Sequence, residues 1–305
     1  MKRNLLVVFV LAYAIGWLTA APQAAQRPAF AQPEQAAQAL VDAASRNDTA
    51  ALLKLFGPSG KEFVESGDPA EDRGMRESFV SRSRARMRIE PEADNPDRAI
   101  IVVGDNDWPF PIPLVRKTGQ WRFDAAQGKM EILARTVGHN EMTAIDVCRG
   151  YVEAQMQYAE RDRNADGSLE YAQQIISSPG KQDGLYWEGA APDLVPKSFA
   201  DAAAAILLAQ GKKPTAYHGY FFHILKAQGP DAIGGAMSYV VKGEMIGGFA
   251  MVAWPAEYGV SGIKTFLVSH RGAVWEKDLG PTTPTLARAM TRFNPDKTWR
   301  TVEGE

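Results

Sequence analysis

The chain has 305 residues, of which 45% are hydrophobic and 23% charged, with a formal net charge of −2 and a pI near 6.2. That is enough apolar material for a substantial core, and the length sits where one core tends to give way to two, so two domains are expected. The balanced charge excludes the concentrated basic footprint of nucleic-acid binders, and the single cysteine, Cys148, excludes both an intrachain disulfide and a lipid-carrying cysteine at a leader junction.

The chain opens on Met1, Lys2 and Arg3, runs through the apolar residues 5–18 and continues in small residues to Ala25 and Ala29-Phe30-Ala31. A basic tip, a greasy stretch shorter than the ~20 residues of a membrane span and a small-residue junction form a secretory signal. Residues 1–31 are read as that signal peptide. Cleavage after Ala31 fits the small-x-small rule, Ala21 and Ala25 are earlier options, and an uncleaved anchor is the alternative. The cleaved reading implies a periplasmic or secreted protein with no stable membrane span.

From Pro33 the residues Ala37, Leu40, Val41 and Ala44 recur at helical spacing. Asp48 is placed to cap a short helix over residues 49–56, which Gly57-Pro58 ends, and residues 71–87 form a third helix. Strand-like runs follow at 99–103, 111–117 and 120–123, separated by turn-rich segments. Helices followed by a short antiparallel meander predict a small α+β domain over residues 32–138.

A junction helix is expected over 129–140, ending near Gly138, with Asn140 capping a separate helix over 141–159. Met142, Ile145, Cys148, Val152, Met156 and Ala159 mark its apolar stripe, which makes Cys148 a buried structural thiol. Residues 177–196 are rich in Gly, Pro and Asp and read as a long connection. Ser198 then caps an Ala-rich helix that stops before Gly211. Strands are expected at 217–226, 237–242, 249–254, 263–269 and 273–277, and Thr283-Pro284 opens a last helix. The second domain, residues 139–305, is thus a helix followed by an antiparallel meander.

Three segments resemble one family: Gly180-Lys181-Gln182-Asp183-Gly184-Leu185-Tyr186-Trp187, then Tyr217-His218-Gly219-Tyr220-Phe221-Phe222, then Gly248-Phe249-Ala250-Met251-Val252-Ala253-Trp254-Pro255. They are similar to an exported bacterial family, domain of unknown function 2950, over nearly the whole mature chain; the resemblance implies no activity. Ala154, Gln155 and Tyr158, then Asp166-Gly167, Tyr171-Ala172, Gly184-Leu185, Gly219-Tyr220 and the 259–266 segment are also similar to the periplasmic part of pilin-like and pseudopilin-like proteins. That likeness implies one helix packed on an antiparallel sheet. It departs from assembling pilins, because the long helix lies inside the chain. The first domain, ending in Trp121-Arg122-Phe123-Asp124, resembles the cone of nuclear transport factor 2.

Asp162-Arg163-Asn164-Ala165-Asp166-Gly167 matches the first half of a calcium loop, where alternating oxygen-bearing side chains precede a Gly turn. Glu170 takes the ninth position, and Gln173 stands where the bidentate Glu belongs. Asp162, Asn164, Asp166 and Glu170 are therefore candidate calcium ligands, with a solvated, Asp-capped turn as the plain alternative. The same acids offer a general acid and base for hydrolysis if their separations suit. Arg82, Arg84, Arg86 and Arg88 alternate at period two, so a strand would align them and a helix would scatter them. His218 and His223, five apart on one expected strand, point to opposite faces. Tyr186, Trp187, Tyr217, His218 and Tyr220 are candidates for a ligand or partner surface, since such rings join an apolar face to a polar edge.

The reading that results is a two-domain α+β protein of the periplasm or envelope that binds an envelope protein or glycan without catalysis, with calcium as a brace. A periplasmic hydrolase or small-molecule enzyme, working through the acidic loop or a first-domain pocket, is one alternative. An accessory subunit of a pilus-like or secretion assembly is another.

Overall fold

The computed structural model describes residues 27–187, 193–207 and 215–302, and divides into two compact units at Lys129/Met130, ahead of Gly138. Both mix helices with antiparallel sheet, an α+β architecture. Among the described residues no helix is long and apolar enough to cross a membrane.

In the first unit α1 (Pro33–Ser45) starts on a proline, whose missing N–H is no loss at a helix N-terminus. The Asp48 carboxylate accepts the Ala51 N–H at 2.9 Å and caps α2 (Thr49–Phe56). The short α3 (Lys61–Val64) precedes α4 (Pro69–Ala85), capped by Asp68 through the N–H groups of Ala70 and Glu71. The sheet runs β1 (Met87–Glu92), β2 (Asn95–Val103), β4 (Leu114–Lys117), β5 (Gln120–Phe123), with β3 (Trp108–Pro109) also on β2. Helix α1 packs on α4 and β5. Ahead of α1, Phe30 exchanges backbone hydrogen bonds with Trp121 at 3.0 and 2.7 Å and packs against the core. That core is closed by Phe56 edge-on to Phe123 at 5.1 Å, each such fully buried side chain contributing about 1.5–3 kcal/mol.

Two expectations fail here. The third helix ends at Ala85 and the segment behind it is a strand, because Met87 and Ile89 pair with Val103 and Ile101 across the sheet. A long-range pairing, invisible to local pattern, wins. The four arginines consequently straddle a helix end and a strand and do not align. Arg82 lies over Trp108, while Arg86 and Arg88 share Asp107, and Arg88 also pairs with Glu90.

The long helix α5 (Ala125–Tyr158) begins in the first unit and continues into the second. It does not break at Gly138. The residue expected to cap a new helix, Asn140, instead donates its amide to the Ser261 carbonyl at 2.9 Å. The Glu141 carboxylate accepts the N–H groups of Ile263 and Lys264 at 2.8 and 2.9 Å. Tertiary partners for these two side chains remove any need for a new helix start. The buried stripe is rotated as well: Ala144, Cys148, Tyr151, Gln155 and Tyr158 face inward, whereas Met142 and Met156 are exposed. Cys148 is buried, and burial pushes its thiol up to about 12.

Helix α6 (Lys197–Leu207) packs on the sheet strand β6 (Tyr220–Leu225). Ser198 lies inside that helix and does not cap it; Gly211 lies outside the described residues. The small strands β7 (Ala227–Gln228), β8 (Met237–Ser238), β9 (Val240–Val241) and β10 (Glu244–Met245) form two two-stranded pairings. The expected strand at 237–242 is thereby split, since Ser238 bonds Val240 and turns the chain. The main sheet is β14-β13-β12-β11-β6, where β11 is Ala250–Pro255, β12 Lys264–Ser269, β13 Val274–Asp278 and β14 Arg300–Thr301; α7 (Thr283–Arg288) packs on β11. Strand β11 is buried throughout and holds Trp254 at 1% exposure.

Candidate functional site

The second unit carries a cleft of about 1140 Å³, formed by the end of α5, the connection through residues 163–187, the start of α6 and the β9–β10 turn. Its walls follow from local hydrogen bonding. Gln155, fully buried, accepts the Ala172 N–H at 2.8 Å and donates to the Ala172 carbonyl at 2.8 Å and the Tyr151 hydroxyl at 3.0 Å, anchoring the connection to α5. Tyr171 N–H reaches the Met245 carbonyl and Gln173 the Gly243 carbonyl, which draws in the β9–β10 turn. Ser177 and Tyr186 pair at 2.8 Å across a close approach that needs Gly184: a Cβ there would stand 2.7 Å from Ser177 N and 2.8 Å from the Ile176 carbonyl carbon.

The acidic loop closes on itself. The Asp162 carboxylate accepts N–H groups from Asn164, Ala165 and Gly167 at 3.2, 2.7 and 2.8 Å, bonds that hold it below the usual carboxylate range. Ala165 and Gly167 take positive φ, at 60° and 90°, to make that turn. The Asn164 amide donates to Asp166 at 2.7 Å and to Glu170 at 3.2 Å. Burial, then the nearby Glu244 and Asp166, push the half-buried Glu170 carboxyl upward. Among the described residues no three His, Cys, Asp or Glu side chains are grouped to hold a metal ion.

Arg163 is the centre of the cleft. Its guanidinium carbon lies 4.5 Å from the Tyr158 ring centroid and 5.0 Å from that of Trp187, its Nε donates to the Tyr158 carbonyl at 3.2 Å, and one Nη donates to Gln182 at 3.3 Å. Tyr158 in turn donates its hydroxyl to the Gln182 carbonyl at 3.1 Å, and burial with Glu170 nearby pushes that phenol up to about 12. Desolvation, with the like charge of Arg161 nearby, pulls the Arg163 pKa down. Among the described residues Arg163, Lys181, Glu170 and Glu244, all lining the cleft, form no ion pair. Lys197 does, at 2.8 Å from both Asp201 oxygens. Trp187 is 6% exposed and its indole N–H has no acceptor among the described residues, a deficit of about 1–3 kcal/mol when a donor is left dry.

The chain belongs to the DUF2950 family. The family model, described as a protein of unknown function, matches residues 27–302. No curated protein and no solved structure matches the chain. The DUF2950 chain thus brings together in one cleft Asn164, Glu170, Tyr186 and Trp187 from among the residues singled out in sequence.

The others go elsewhere. Asp162 and Asp166 stay with their own loop. Tyr220 is buried, its hydroxyl donated to the Lys264 carbonyl at 2.9 Å, so it offers no surface. His218 is not on a strand: with Gly219 it forms the turn between Tyr217 and Tyr220, at φ 45°, so its face cannot be read by strand alternation against His223. Tyr217 packs edge-on to Phe199 at 5.6 Å and to the His218 ring at 4.5 Å. Sequence reasoning missed Arg163, Tyr158, Lys181 and Glu244. Arg163 was visible only as a filler position in the acidic motif, and its partner Trp187 lies far along the chain.

Proposed function

We propose that this chain is exported and acts in the envelope as a non-catalytic binding protein whose ligand enters the cleft of the second unit. One observation carries the reading: a guanidinium held between Tyr158 and Trp187 without a carboxylate partner among the described residues, inside a large cleft. Export rests on the leader read at residues 1–31. Calcium enters only as a brace of the 162–170 loop and carries no part of the recognition.

The test uses Trp187 as its own reporter. Purified mature protein titrated with solubilised envelope fractions should show a saturable change in tryptophan emission that Trp187→Phe abolishes and Arg163→Gln weakens. A signal that survives Trp187→Phe unchanged would move the ligand out of the cleft.

A second reading, an assembly subunit with a pilin-like second unit, is favoured by one long helix tied to an antiparallel sheet through Tyr151, whose hydroxyl donates to the Ala250 carbonyl at 3.4 Å. Concentration-dependent self-association of the mature protein would support it.

A further inference from the structure

The cleft carries charges of both signs that the protein leaves uncompensated. The half-buried Arg163, Glu170 and Glu244 and the exposed Lys181 all line it, none of them in an ion pair among the described residues. A half-buried charge without a partner is costly unless something arrives to meet it. One further detail narrows what arrives. Arg163 is clamped by two aromatic faces and two hydrogen bonds, so its remaining N–H groups keep a fixed direction, the arrangement that suits a planar anion.

Resting on the cleft reading above, we infer that the ligand is a short peptide bearing a free carboxylate and a free amine, the carboxylate set on Arg163, the amine held by Glu170 and Glu244. A neutral sugar chain would leave the half-buried charges of Arg163, Glu170 and Glu244 unmet. A phosphate, with two negative charges, would meet Arg163 but face the field of Glu170, Glu244 and Asp166, whose mutual proximity already disturbs Glu170. A zwitterion satisfies both ends. At about 1140 Å³ the cleft has room for more than a single amino acid.

The experiment is a calorimetric titration of the mature protein, in chelator, with trialanine, its N-acetylated form, its C-terminal amide and a neutral N-acetylglucosamine trimer. Trialanine is expected to bind, and masking either end to weaken binding about tenfold or more, since each mask leaves a charged group unpaired. Arg163→Gln should erase the discrimination against the amide and leave that against the acetylated form. Glu244→Gln should do the reverse, and Arg163→Lys should restore part of the carboxylate preference. Because the ligand series alone tests charge, misfolding of any variant does not rescue or spoil the result. Binding of the neutral trimer with no response to trialanine would overturn this inference while leaving the cleft reading intact. Equal binding of all three peptides would overturn it too. No binding of any probe at millimolar concentration would remove both.

Discussion

Glu170 concentrates the electrostatic tension of the molecule. Its carboxyl is pushed upward by burial and by Glu244 and Asp166, so the folded state holds its proton more firmly than the unfolded chain does. The sign follows from linkage: the stabilisation attached to this group is complete at low pH, below the unfolded carboxyl range near ~4, and is lost as pH rises through the raised folded value. Glu170→Gln should therefore raise Tm near neutral pH and lose that advantage in acid, as thermal melts across pH would show. A cation in the 162–170 loop would relieve the same repulsion. Millimolar calcium is expected to raise the wild-type Tm and to have less effect on Glu170→Gln; a wild-type Tm indifferent to calcium and chelator would remove the brace. Asp162 behaves oppositely, its carboxyl held low by loop N–H groups, so its contribution fades only as pH falls through that lowered value.

At the scale of elements, α5 is the sharpest case. Gly138 lies inside it with nothing within 4 Å of where a Cβ would stand, and Gly in a helix interior costs about 0.5–1 kcal/mol relative to Ala. Gly138→Ala should stabilise the protein by about that amount in denaturant melts; a loss of stability would mean that the helix ends there after all. The glycine, with Asn140 behind it, looks like a stop and a fresh start when only neighbours along the chain are considered. What overrides the local pattern is the loop at Ser261, Ile263 and Lys264, more than a hundred residues away, which engages Asn140 and Glu141. The same logic separates what was legible from what was not. Helices with local caps, such as α2 on Asp48, and strands bounded by turns, such as β12, stand in the sequence. The strand β1 and the inward face of α5 do not, because distant partners set them. In the cleft Trp187 and Glu170 stand out as residue types, but the stacking that makes Arg163 central joins positions 158, 163 and 187 through a fold no spacing rule describes.

At the scale of the whole molecule, the first unit bears on processing. Phe30 bonds Trp121 through both its N–H and its carbonyl, and the Arg27 guanidinium donates to the Phe123 carbonyl at 3.4 Å. On the export reading proposed above, cleavage after Ala31 would remove this extra strand partner from the sheet, so a cleaved product should begin before Arg27, at one of the earlier alanine sites. Mass spectrometry of the exported product would decide it, and a mature terminus at Gln32 would contradict it. The lone thiol of the chain has a practical use. Because Cys148 is sealed inside the second unit with its ionisation suppressed, maleimide dyes should pass over it in the native protein. Any cysteine engineered at an exposed position then becomes the sole labelling handle, so probes can be placed singly or in pairs without first rebuilding the interior.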